Sequence, residues 1–179
     1  MHWRNSTQGY GLTAILFHWL VVAGVIGLFA LGLWMVDLSY YDPNYRSSLA
    51  LHKSIGVALF VVVAARLIWR LLNPQSAPHG RPWERHLANT VHRLLYLLLF
   101  AALIAGYLIS TADGRPIEVF GLFELPATLT GSNQEDWAGA IHETLVWTII
   151  VVAVLHAVAA LKHALVNRDG TLRRMVRPR

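Results

Sequence analysis

The chain has 179 residues, 55% of them hydrophobic and 14% charged, with a formal net charge of +5. That composition is too apolar for a soluble domain of this size and points to a polytopic membrane protein. The absence of cysteine excludes disulfides, thiolate metal sites, iron–sulfur clusters and thioether-linked haem, and leaves nine histidines as the strong nitrogen ligands.

Four apolar segments follow one another, each near or above the roughly 20 residues that a spanning helix needs. The first, about Leu12–Val36, is too long for the apolar core of a cleavable signal, and no small-x-small cleavage site follows it. Asp42-Pro43-Asn44 then marks a turn, and the second span runs about Leu49–Leu72. The connection Asn73–His86, with Pro74, Pro78, Gly80 and Pro82, reads as a loop of turns. After the third span, about Leu87–Thr111, comes a longer loop, Ala112–Asp136, punctuated by Gly114, Pro116, Gly121, Pro126 and Gly131. Its Phe120-Gly121-Leu122-Phe123 patch is expected to dip into the membrane interface or fold over a site. The fourth span is about Trp137–Val166. Trp3, Trp34, Trp69, Trp83 and Trp137 fall near span ends, as an aromatic belt requires. The expected fold is an all-α membrane protein, one four-helix transmembrane bundle covering residues 1–179 as a single domain.

Of the fifteen Lys and Arg residues, all but Arg46, Lys53 and Arg115 lie at the N-terminus, the second loop and the C-terminus, or beside them. This asymmetry predicts both termini in the cytoplasm of a bacterial inner membrane. The pI near 10 therefore describes an inner membrane surface facing lipid phosphate and gives no reason to invoke nucleic acid.

The histidines carry the chemistry. His142 and His156 are fourteen residues apart, so at about 100° per residue they share one face of the fourth helix and stand roughly 21 Å apart along it. Counting about 1.5 Å per residue from each helix midpoint, His18 and His156 both lie roughly 9 Å towards the cytoplasm. His52 and His142 lie roughly 12–13 Å to the opposite side. Imidazole is a poor resident of hydrocarbon and needs a partner there. Two pairs at two depths predict two six-coordinate haem b groups, each gripped axially by histidines from different helices. A zinc site would instead gather three or four ligands at one depth. Gly56 one turn from His52, Ala160 one turn from His156, and Gly24 and Gly27 offer room for a macrocycle. Arg66 and Arg70 suit haem propionates, or snorkel to lipid phosphate. His92 and His163 sit near the inner headgroup level, and their titration range suits proton exchange at a quinone site; interfacial histidines in a basic rim are the competing reading. His2, His79 and His86 read as solvated loop residues.

With these residues placed, the chain resembles the bacterial cytochrome b561 family, di-haem proteins related to the cytochrome b subunits of nickel–iron hydrogenases. The resemblance rests on Phe17-His18-Trp19-Leu20, on His52-Lys53-Ser54-Ile55-Gly56 leading to Arg66 and Arg70, and on His92 with Leu95-Tyr96-Leu97. It continues through His142-Glu143-Thr144-Leu145, His156, Ala159-Ala160-Leu161-Lys162-His163 and the tail Asp169-Gly170-Thr171-Leu172-Arg173-Arg174-Met175. It implies two non-covalent b haems, with His18 and His156 on the inner iron and His52 and His142 on the outer, and electron exchange with ubiquinone. One branch of the family includes a superoxide oxidase, which makes superoxide the preferred periplasmic donor. The outer acids Asp37, Asp42, Asp113, Glu118, Glu124, Glu135 and Asp136 oppose an anionic donor unless Arg46, Lys53 and Arg115 cluster over the site. Two other functions remain open: a membrane anchor taking electrons from a periplasmic dehydrogenase or hydrogenase, and a non-redox transporter with a histidine proton relay.

Overall fold

A computed structural model describes residues 3–6, 9–74 and 80–177. The expectations for His2, Pro78, His79 and Arg179 fall outside these described residues.

The chain forms α1 (Leu12–Val36), α2 (Tyr45–Leu72), α3 (Pro82–Ser110), a hairpin of β1 (Ile117–Val119) and β2 (Phe123–Leu125), and α4 (Gln134–Lys162). A π-helical turn, His163–Asn167, extends α4, and a 3-10 turn follows at Arg173–Met175. All four long helices are apolar and long enough to cross a membrane, the architecture of a four-helix bundle. Ile26, Val61, Leu97 and Leu155 are exposed on them, as side chains facing lipid are.

Three helices start earlier than hydropathy suggests, because polar capping residues extend them beyond the apolar run. α3 opens at Pro82, whose missing N–H costs nothing in a first turn. There the Arg81 amide donates to Glu84 Oε2 at 2.8 Å, one half of a capping box. His86 consequently lies on a helix, where it is exposed. α2 opens from the Asp42-Pro43-Asn44 turn, in which the Asn44 amide donates to Asp42 Oδ1 at 2.8 Å. α4 opens at Gln134, and Glu135 and Asp136 complement the positive end of its dipole.

The described chain divides into two compact units, and each helix contributes a segment to both. The first comprises Met1–Val21, Val62–Leu98 and Thr148–Arg179. Ile15, Val21, Val63, Leu98 and Ile149 are its buried apolar residues. The C-terminal tail is fastened within it by the Trp19 indole N–H, which donates to the Met175 carbonyl at 2.7 Å.

The second unit comprises Val22–Val61 and Leu99–Trp147. Leu59 packs so closely on Gly24 that a Cβ there would stand 2.9 Å from its Cδ1. Phe29 meets Trp147 edge-on at 5.2 Å, and Phe60 meets Phe100 at 5.5 Å. Gly24 is thus a helix-packing glycine and supplies no room for a macrocycle.

The hairpin in the longer loop has no strand signal strong enough to be read from sequence. Its strands are three residues each, in the register Ile117 with Leu125 and Val119 with Phe123. The Leu122 amide closes the turn on the Val119 carbonyl at 2.9 Å, with Phe120 at φ 52° and Gly121 at φ 69°. Positive φ at both central positions is the primed turn that suits a twisted hairpin. Ser54, 3% exposed on α2, holds the unusual Phe120 backbone: its Oγ accepts from the Phe120 amide at 3.0 Å and lies 3.4 Å from the Glu118 carbonyl.

Candidate cofactor sites

In the second unit, α2 and α4 bring the rings of His52 and His142 together edge-on. Their ring centres are 6.4 Å apart and the rings cross at 75°. Two imidazoles hydrogen-bonded to one another stand roughly 5.2 Å apart, given an N···N distance of about 2.9 Å. Two imidazoles on opposite sides of one ion, with metal–nitrogen bonds of about 2 Å, stand roughly 6.4 Å apart. The observed separation matches that opposed arrangement.

The tautomer of His142 is also set. Its Nδ1 lies 2.8 Å from the Ala102 carbonyl, which can only accept, so Nδ1 carries the proton and Nε2 presents a lone pair. Gly106, one turn along α3 from Ala102, makes this approach possible. A Cβ there would stand 3.2 Å from His142 Cε1. His52 Nδ1 is buried with no hydrogen-bond partner, an unsatisfied nitrogen of the kind that a ligand resolves. At Gly27 and Gly56 an added Cβ would meet nothing within 4 Å, so open space flanks both helices at these positions.

The first unit gathers His18, His92 and His156, which lie within electrostatic reach of one another. His92 and His156 touch edge-on at 5.2 Å, roughly 1 Å closer than two imidazoles bound on opposite sides of one iron, so they are neighbours and not an opposed axial pair.

Arg66 Nη2 donates to His18 Nδ1 at 3.1 Å, and its guanidinium lies 5.4 Å from the centre of the Tyr96 ring. A guanidinium cannot accept, so in this arrangement the His18 proton sits on Nε2. Ligation through Nε2 requires Arg66 to let Nδ1 go. Two donors stand ready in the same unit without acceptors: Trp69 Nε1 and Tyr96 Oη are buried and unpaired. Buried donors of this kind, beside a guanidinium, fit a ligand that brings carboxylate or carbonyl oxygens. Arg70, half-buried in the last turn of α2, is within electrostatic reach of Arg66 and His92.

His163 has different company. Its Nδ1 lies 2.6 Å from Asp169 Oδ2, and Asn167 Nδ2 approaches the same nitrogen at 3.1 Å. Asp169 Oδ1 accepts from the Thr171 amide at 3.0 Å and its hydroxyl at 2.6 Å. Burial works to raise the Asp169 pKa, but the Thr171 and His163 hydrogen bonds prevail and hold it at about 2, below its ordinary 3.8. His163 thus faces a fixed carboxylate. Asp169 was missed as a site residue from sequence, although Asp169-Gly170-Thr171 carries the spacing of an Asx turn.

On the outer loops, the basic residues gather only in part. Lys53 shares its neighbourhood with Arg115, Asp113 and Glu135. Arg115 pairs with Asp113, Nη2 to Oδ2 at 2.5 Å, and that hydrogen bonding pulls the Asp113 carboxyl below its ordinary range. Arg46 is engaged elsewhere, donating to Tyr40 Oη at 3.2 Å.

The profile of the family described as prokaryotic cytochrome b561 matches residues 9–178. Cytochrome b561 homolog 2 of Escherichia coli K12 is 49% identical over 179 residues, covering 98% of this chain and 95% of that protein. The probable superoxide oxidase CybB of Yersinia pestis is 32% identical over 180 residues, covering 98% and 97%. Cytochrome b561 homolog 1 of Escherichia coli K12 is 26% identical over 173 residues, covering 93% and 96%.

Proposed function

Because the chain belongs to the prokaryotic cytochrome b561 family, whose members are haem b electron-transfer proteins of the membrane, we propose that it binds two haem b groups and carries electrons from a periplasmic donor to ubiquinone, with both termini in the cytoplasm. His52 and His142 hold the outer iron; His18 and His156 hold the inner. The observation that carries the reading is the 6.4 Å separation of His52 and His142, with His142 Nε2 freed by the bond to Ala102. When bound, each haem would supply a one-electron couple, held by the two histidines of its pair.

The protein's own groups then have separable tasks. Trp69, Tyr96, Arg66 and Arg70 receive the oxygens of propionate or quinone. Lys53 and Arg115 draw an anionic donor inward, partly offset by Asp113 and Glu135. Superoxide is the favoured donor, the activity for which the Yersinia pestis relative is named. Two superoxide ions each give up one electron and leave as dioxygen, and the two electrons with two protons convert one quinone to quinol. In this reading the His163–Asp169 pair relays those protons, together with His92 beside His156; the 2.6 Å His163–Asp169 contact supports it.

A second reading keeps the same haems and replaces superoxide by a protein donor. Glu118 and Glu124 are directly opposed and exposed on the hairpin. Like charges in that register repel, and a basic periplasmic partner would relieve them. Full reduction of the haems by superoxide in the isolated protein, with turnover of added quinone, supports the first reading; copurification of a reducing partner and no response to superoxide supports the second. His163→Ala should leave haem content intact and slow quinone reduction; an unchanged rate removes His163 from the proton path.

A further inference from the structure

Beyond the last apolar turn of α4, the tail folds into a basic cup. Its cavity of about 470 Å³ is lined by Arg168, Arg173 and Arg177 together with Ala164, Leu172 and Val176. Among the described residues that line it there is no acidic side chain. Asp169, adjacent in sequence, has its carboxylate committed to Thr171 and His163.

The cup is a shaped feature of the fold. Arg168 takes the left-handed conformation, φ 51°, at the end of the π-helical turn, and its amide bonds the His163 carbonyl. The tail is then fixed by the Asp169–Thr171 turn and by Trp19 on Met175. Holding guanidinium groups around one cavity sets like charges against each other, and a bound anion offsets that cost. The surroundings identify the anion's carrier. Val176, 58% exposed, lines the cavity with Leu172 and Ala164, and Leu165 and Val166, 70% and 73% exposed, follow Ala164 in sequence at the end of a membrane span. A soluble phosphate has no use for that apolar border, whereas a phospholipid fills both parts.

The geometry points to a binding site for the phosphodiester of an anionic membrane phospholipid, with Arg168, Arg173 and Arg177 as its ligands. The site is separate from the histidine clusters and stands whether or not the electron-transfer reading does.

The test is native mass spectrometry of the full-length protein in detergent, titrated with phosphatidylglycerol, phosphatidylcholine or inorganic phosphate. Phosphatidylglycerol should be retained in preference to phosphatidylcholine, and millimolar inorganic phosphate should not displace it. Each Arg→Gln change in the cup should weaken retention roughly 5-fold, and the Arg168→Gln/Arg173→Gln/Arg177→Gln triple variant about 100-fold. The matched triple variant Arg81→Gln/Arg85→Gln/Arg93→Gln, which removes equal charge from residues that do not line the cup, should change it less than about 2-fold. Should the cup triple variant fail to fold, its three single variants give the same reading. Equal losses in the two triple variants would reduce the effect to diffuse attraction and overturn the site. Displacement by inorganic phosphate would overturn the lipid, and equal retention of phosphatidylcholine would overturn both.

Discussion

A single carbonyl decides the chemistry of His142. By taking the Nδ1 proton, Ala102 leaves Nε2 as the only nitrogen able to bind a metal, and Gly106 leaves space for the ring to lie there. Outer contacts of this kind typically change metal affinity by about 10- to 100-fold. Gly106→Ala, whose Cβ would press on Cε1, is therefore expected to weaken outer-haem binding about 10-fold, measured by haem transfer to an apo-acceptor protein. His142→Ala or His52→Ala should remove one haem and spare the other, taking the pyridine haemochrome ratio from about two per chain to about one. Asp169 provides a pH test at the same scale. Its folded pKa of about 2 lies below the ordinary 3.8, so its contribution to the tail is full above pH 3.8 and is lost as pH falls through 2. Amide exchange at Thr171, normalised for intrinsic rate, should accelerate across that window. The same acceleration in Asp169→Asn would refer the effect to another group.

At the scale of elements, the four spans were legible because twenty-residue apolar runs have few other uses. What hydropathy missed were the polar ends: Tyr45 to Ser48, Pro82 to His86 and Gln134 to Asp136 belong to helices that open from polar, capped turns, which add no apolar signal. The hairpin was hidden for a related reason. Strands of three residues carry little pattern, and Phe120 adopts positive φ because Ser54, sixty-six residues away, accepts its amide. The depth count set His52 opposite His142, and the two rings do meet. It also set His92 with His163, whereas the structure gives them separate partners, His156 and Asp169. Counting residues along an axis gives depth but not the azimuth that chooses neighbours. Ser54→Ala removes the partner of the part-buried Phe120 amide and should cost about 1 kcal/mol locally. Faster hydrogen exchange in residues 117–125, with α2 unchanged, is the expected readout; uniform exchange would show that Ser54 does not hold the hairpin.

For the whole molecule, the arrangement separates tasks along the chain. Apolar side chains face outward along the helices, histidines gather inside both units, and basic residues concentrate in the second loop and the tail. Each unit draws on all four helices, and α4 carries a histidine of each cluster, His142 and His156. Cofactors held as proposed would pack as part of the bundle, and their loss should lower the unfolding temperature of the whole protein. The most direct measurement is the visible spectrum of the purified full-length protein in detergent, taken with a haem-to-protein ratio. Bis-histidine ligation at two sites predicts a low-spin b-type spectrum, sharpening on reduction, with about two haems per chain. A high-spin spectrum, a ratio of one, or a colourless protein would contradict it.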